Sequence, residues 1–161
     1  MAVVDVSEKH QDLVDELLAA VSEYNPDLDR ELLSRAFSYA ATAHDGQLRR
    51  SGEEFIRHPW SVAKICAELR LDEQTVAAAL LHDVVEDTGV ELDDLKAEFG
   101  EEIAQLVEGV TKLTRIQFQT REQVQAENYR KMIVAMADDP RVIPIKLADR
   151  LHNMRTIEHL P

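Results

Sequence analysis

The densest chemistry in this 161-residue chain lies in Leu80-Leu81-His82-Asp83-Val84-Val85-Glu86-Asp87-Thr88, where four titratable groups interrupt an apolar run. If the run is helical, His82 and Glu86 are i, i+4 neighbours, as are Asp83 and Asp87, so adjacent ridges point imidazole and carboxylate the same way. Burying such groups without partners costs several kcal/mol. A divalent cation would offset that cost, because neutral imidazole and carboxylate are its ordinary ligands. For the His-Asp pair taken alone, the competing reading is a helix-end histidine satisfied by local hydrogen bonds.

Two other stretches carry complementary groups. Lys146-Leu147-Ala148-Asp149-Arg150-Leu151-His152-Asn153-Met154-Arg155 puts Asp149 and Asn153 on one helical face, flanked by Lys146, Arg150 and Thr156. By itself that face could equally be a solvated, salt-bridged one. His58 stands between the basic loop Arg49-Arg50-Ser51 and Pro59, so a metal ligand and phosphate-binding groups would enter the fold together. Taken singly, His10, His152 and His159 read as structural, and His44 is undecided. Cys66, between Ile65 and Ala67, reads as a small core residue.

The elements that must position these groups are helical. Leu13, Leu17, Leu18 and Val21 form one apolar stripe, stopped by Asn25-Pro26. A second helix is predicted from about Leu28 to His44, ended by Asp45-Gly46. After the loop, Pro59 is expected to open a third helix as its first residue. Asp72 is the expected N-cap of a fourth, running through Val84 to about Asp87-Thr88-Gly89, with Ala77, Ala78 and Ala79 permitting close helix contact. Shorter helices follow over Leu92–Phe99 and Glu101–Val110, then one over 122–137. Asp139-Pro140 supplies an N-cap and first residue for a last helix to about Thr156, in which Pro144 demands a kink or a later start. No stretch alternates as a half-buried strand, so the class is all-α.

Composition agrees: 45% hydrophobic and 30% charged residues with 5 Gly and 5 Pro exclude a disordered or low-complexity chain. One cysteine excludes an internal disulfide, and no apolar run approaches the ~18 residues of a membrane span. The opening MAVVDVSEKH lacks a secretory pattern, so the cytoplasm is expected. A net charge of −13 opposes nucleic acid and anionic membranes. Residues 1–34 carry −7 and 67–109 carry −11, whereas 35–66 carry +2 and 110–161 carry +3. If the two basic segments meet, they form a cationic pocket suited to a compact polyanion.

The ordered set HDGQLRRSGEEFIRHP, LLHDVVEDT, GVTKL, QAENYRKM and RVIPIKLADRLHNMRT resembles the hydrolase domain of the RelA/SpoT homologues over about residues 28–157. These are HD-superfamily enzymes that degrade the alarmones ppGpp and pppGpp. The resemblance implies a helical domain built around a manganese ion held by His58, His82, Asp83 and Asp149. It implies Glu86 and Asp87 as the catalytic acidic pair, and a nucleotide site lined by Arg49, Arg50, Ser51, Asn153 and Thr156. On ligand type alone, zinc stays open beside manganese. The implied reaction is 3′-pyrophosphohydrolysis to GDP or GTP and pyrophosphate, in the stringent response.

The family usually has Pro and Tyr where this chain has Glu54 and Phe55. The family's hydrolase domain also continues through further helices, and long members add synthetase and regulatory domains. Residues 1–161 are therefore expected to be a single domain, a C-terminally shortened piece of a longer bifunctional protein. Those absent domains and a second copy are its expected partners, and neither nucleic acid nor membrane is. Two alternatives stand beside this reading: a related phosphohydrolase acting on another nucleotide, and a non-catalytic alarmone-binding module.

Overall fold

The computed structural model describes residues 10–49, 52–114, 130 and 139–155. In chain order the described helices are α1 (Gln11–Ser22), α2 (Arg30–Ala43), α3 (Arg57–Glu68), α4 (Glu73–Leu81), α5 (Val84–Asp87), α6 (Leu92–Phe99), α7 (Glu101–Thr114) and α8 (Val142–Arg155). Among the described residues there is no strand, only an isolated antiparallel bridge between Leu48 and Glu54. The all-α expectation holds. The helix expected over 122–137 falls outside the described residues apart from Arg130.

The fold is organised around α4, which is buried from Thr75 to Leu81 on every side. A helix without a polar face must be surrounded, and α2, α3 and α7 surround this one. Its alanines, Ala77, Ala78 and Ala79, are fully buried and let these helices approach closely. Asp72 caps the helix as expected, accepting from the Thr75 amide at 3.3 Å and the Thr75 hydroxyl at 2.6 Å; such a cap is worth about 1 kcal/mol. Helix α1 seats its stripe of Leu13, Val14, Leu17 and Val21 on this assembly, and Trp60 Nε1 of α3 donates to the Leu13 carbonyl at 2.8 Å.

Three expected boundaries move. Helix α3 begins at Arg57, so His58 lies inside the first turn and Pro59 is its third residue. A proline is tolerated there because first-turn amides have no intrahelical acceptor. Helix α8 starts at Val142, which resolves Pro144 as a late start: it too is third in its helix, and Asp139-Pro140 forms a preceding turn. The third change matters most. The single helix expected from Asp72 to about Asp87 breaks at His82-Asp83 into α4 and the one-turn α5. The Ala79 carbonyl accepts both the backbone amide of His82, at 3.5 Å, and its ring Nδ1–H, at 2.6 Å, which draws that carbonyl out of the regular ladder.

Helix α8 rests on α3, α4 and α7. Where it crosses α7, a Cβ at Gly109 would lie 2.6 Å from Cγ1 of Val142, a branched side chain that is itself buried. Gly109→Ala gains about 1 kcal/mol of helix propensity and meets an overpacking cost of about 1–3 kcal/mol. The expected outcome of G109A is a net loss of about 1 kcal/mol, seen in thermal denaturation as a Tm lower by about 2–4 °C.

Candidate metal centre

The break after α4 places His82 at a buried helix end, and its Nδ1–H bond to Ala79 leaves Nε2 facing inward. His58, in the first turn of α3, and Asp149, in the middle of α8, reach the same point. His58 Nε2 lies 2.7 Å from Asp149 Oδ1 and 3.6 Å from Asp83 Oδ2; His82 Nε2 lies 3.3 Å and 3.1 Å from the same two oxygens. One ligand atom from each of the four residues falls within 4.8 Å of all the others. Adjacent ligands on an octahedral ion with bonds of about 2.1 Å stand about 3 Å apart, so the spacing and the donor set fit a divalent cation. Two carboxylates also balance its charge.

Electrostatics tie the group together. Burial by itself lowers the His82 imidazole, but Asp83 and Asp149 outweigh it and hold the ring well above its ordinary pKa. Burial works to raise Asp83, and the His82 and His58 rings overcome it. Asp149 is driven far below the carboxylate range in spite of burial, because both histidines donate to it. Lys146 Nζ takes its other oxygen at 3.1 Å.

The acidic pair lies one turn further on. Glu86 is half-buried and Asp87 more exposed, both on α5, so the i, i+4 pairing across one continuous helix is replaced by a turn and a new start. The Asp87 carboxyl sits above its ordinary pKa, through burial and then the neighbouring charge of Asp83.

The two basic segments do meet. Arg49 Nη2 donates to Asn153 Oδ1 at 2.9 Å, bringing the α2–α3 loop onto α8 beside Asp149. Arg50, Ser51 and Thr156 lie outside the described residues. Glu54 and Phe55 have their own partners: Glu54 sits 3.2 Å from His10 Nε2, and Phe55 stacks on His44. His10 thus has a structural setting, and Cys66 is a buried core thiol as expected.

His152 is what the sequence reading misplaced. Its Nδ1 lies 2.7 Å from His58 Nδ1 and 3.4 Å from Arg49 Nη1. Arginine offers only donors, so His152 Nδ1 is the acceptor and His58 Nδ1 carries the hydrogen. With Nδ1 so engaged, Nε2 is the nitrogen that His58 presents to the carboxylates. Burial, then the charges of His58 and Arg49, lower the His152 pKa to about 4, which keeps the ring a neutral acceptor. The available signal was its spacing, three residues after Asp149 and next to Asn153.

An all-helical domain with two imidazoles and two carboxylates converging from three helices defines a class, and the chain belongs to it: it is a member of the HD domain family, whose model matches residues 36–161. Membership implies a divalent metal, and the cluster is built to hold one. Among its relatives, a guanosine-3′,5′-bis(diphosphate) 3′-pyrophosphohydrolase of Vibrio cholerae is 52% identical over 145 residues, 90% of this chain and 21% of that protein. The bifunctional (p)ppGpp synthase/hydrolase SpoT of Escherichia coli is 50% identical over 148 residues, 92% and 21% respectively. A GTP pyrophosphokinase of Myxococcus xanthus is 51% identical over 143 residues, 87% and 19%. The chain thus spans about a fifth of the length of these curated relatives. A solved structure, described as a metazoan ortholog of SpoT that hydrolyses ppGpp, superposes with a TM-score of 0.65 at 34% identity, covering 79% of this chain and 70% of that one. Among the described residues no helix is long and apolar enough to cross a membrane.

A divalent ion at about a hundred times its Kd should stabilise the protein by about 2.7 kcal/mol, and Asp149→Ala should abolish the accompanying rise in Tm. Because Asp83 and Asp149 raise the proton affinity of His82 in the metal-free cluster, a metal ion must compete with a proton there. Apparent affinity should therefore rise with pH until it passes the raised His82 pKa, as titration calorimetry in buffers of different ionisation enthalpy will show. Separately, His152→Ala should weaken metal binding by about 10–100-fold, measured by competition with a chromophoric chelator, while the fold is retained.

Proposed function

We propose that this domain hydrolyses the 3′-diphosphate of ppGpp and pppGpp, releasing pyrophosphate and GDP or GTP, with manganese held by His58, His82, Asp83 and Asp149. The observation that carries the reading is the Arg49–Asn153 bond, which joins a basic loop to the metal cluster beside the acidic pair. Polyanion-binding groups, metal ligands and proton acceptors thereby lie side by side. The relatives named for this reaction, and the structural neighbour described as hydrolysing ppGpp, support the same substrate.

Bound manganese supplies Lewis-acid charge for a phosphate oxygen and lowers the pKa of adjacent water. The protein does the rest. Arg49, with Arg50 and Ser51 of the same loop and Thr156, holds the diphosphates, and Asn153 aims the Arg49 guanidinium. Glu86 and Asp87 orient the attacking water and take its proton. The water oxygen bonds to the phosphorus attached to the 3′-oxygen, the P–O3′ bond breaks, and the 3′-oxygen leaves protonated on the nucleoside. His152 keeps the His58 ring in register, and Lys146 steadies Asp149.

Residues 1–161 act as one hydrolase domain of a longer cytoplasmic protein, in which synthetase and regulatory domains are the natural partners. The free, buried Cys66 suits a reducing compartment.

The test is pyrophosphate release from ppGpp with manganese and with a chelator. Turnover to GDP and pyrophosphate that the chelator abolishes is expected, and Asp87→Asn should lower kcat by about 10²-fold or more at unchanged Tm. Faster hydrolysis of GTP or deoxynucleoside triphosphates would assign a different nucleotide, and tight ppGpp binding without turnover would assign a non-catalytic role.

A further inference from the structure

Helix α5 has four residues, too few to hold its own geometry in isolation, yet it carries Glu86 and Asp87. Its end is tied from outside. Gln47 Nε2 donates to the Asp87 backbone carbonyl at 2.9 Å. A carbonyl can only accept, so the Gln47 NH2 must face it and Oε1 must point the other way. There Oε1 meets His44 Nδ1 at 3.1 Å, and an amide oxygen can only accept, so the ring nitrogen donates. Each end of the amide thus dictates the same orientation.

His44 is itself fixed. It caps the C-terminus of α2, is 2% exposed, and stacks on Phe55 with centroids 4.5 Å apart and an interplanar angle of 27°. Its other nitrogen, Nε2, has no hydrogen-bond partner among the described residues, so the ring's side-chain hydrogen bonding goes to Gln47. Gly46, at φ +83°, makes the turn that returns the Gln47 amide to the His44 carbonyl at 2.9 Å. Gln47 also opens the hairpin neck that bears Arg49, its carbonyl accepting from the Phe55 amide at 3.1 Å.

We propose that His44 and Gln47 are a positioning pair: the buried ring orients the Gln47 amide, and the amide holds the end of α5 so that the Asp87 carboxylate meets the reacting water. The pair also couples the acidic turn to the loop that binds the diphosphates. This rests on the hydrolytic reading above and assigns roles to two residues outside the metal, acidic and phosphate-binding sets.

The test compares ppGpp hydrolysis by the manganese-loaded protein and three variants. Gln47→Leu removes both hydrogen bonds. Gln47→Glu keeps an acceptor for His44 and loses the donor to Asp87. His44→Phe keeps the ring on Phe55 and frees the amide. Both Gln47 variants should lose about tenfold or more in kcat, with KM and manganese affinity within about twofold of the parent. H44F should show a smaller kcat loss, and H44F/Q47L should be no worse than Q47L, the non-additivity expected of one chain of contacts. Unchanged kcat in an active parent, a loss confined to KM, or additive effects of the two sites would each overturn the positioning role alone. A parent inactive on ppGpp would overturn the hydrolytic reading together with it. Should Q47L fail to fold, Q47E and H44F decide the question.

Discussion

Two imidazoles and two carboxylates share a space only 4.8 Å across and are mostly shielded from water. That is the constraint on which the rest of this structure depends. Unpaired, each carboxylate would be costly there. Paired, the groups shift one another's proton affinity in opposite directions and stay together in spite of burial. The arrangement carries acid and base functions ready to exchange protons for a cation, which separates it from a structural ion pair that only links two helices.

Helix ends are what make such a cluster possible. His58 stands in the first turn of α3, where amides lack acceptors anyway, and His82 stands where α4 terminates. Only Asp149 comes from a helix interior, and it is the member of the cluster with most support: His58, His82, Lys146 and Asn153 all reach its carboxylate.

The surrounding polar contacts form layers with distinct consequences. His152 acts on the ring of His58 and, through the same nitrogen, on Arg49, so the orientation of the ring and the placement of the guanidinium are linked. His44 and Gln47 act on the far side, through backbone rather than side chain. Phe55 lies between these layers, stacked on His44 and edge-on to His58 at 6.2 Å. An aromatic ring is thus retained at this position, whereas neighbouring Glu54 turns away to His10.

Local patterns in the sequence were enough to determine the helical class, the Asp72 cap and the central apolar segment, because side-chain period and residue type carry that information directly; His58, His82, Asp83 and Asp149 are brought forward as one set by the family resemblance. The local patterns also showed two basic stretches in an acidic chain. What they left open was decided by tertiary contacts. A helix carried straight through His82-Asp83 satisfies the same apolar spacing as a broken one, and the folded chain breaks it where the His82 ring bonds the Ala79 carbonyl. Pro59 reads as the first residue of its helix and Pro144 as a kink or a later start, and the fold makes each the third residue of its helix. His152 and Gln47 look ordinary in sequence because their partners are distant in the chain, 94 residues away at His58 for His152 and 40 away at Asp87 for Gln47, and His44 acts through Gln47. Hydrogen-bond direction between distant groups is set by where the folded backbone puts them, which no local pattern records.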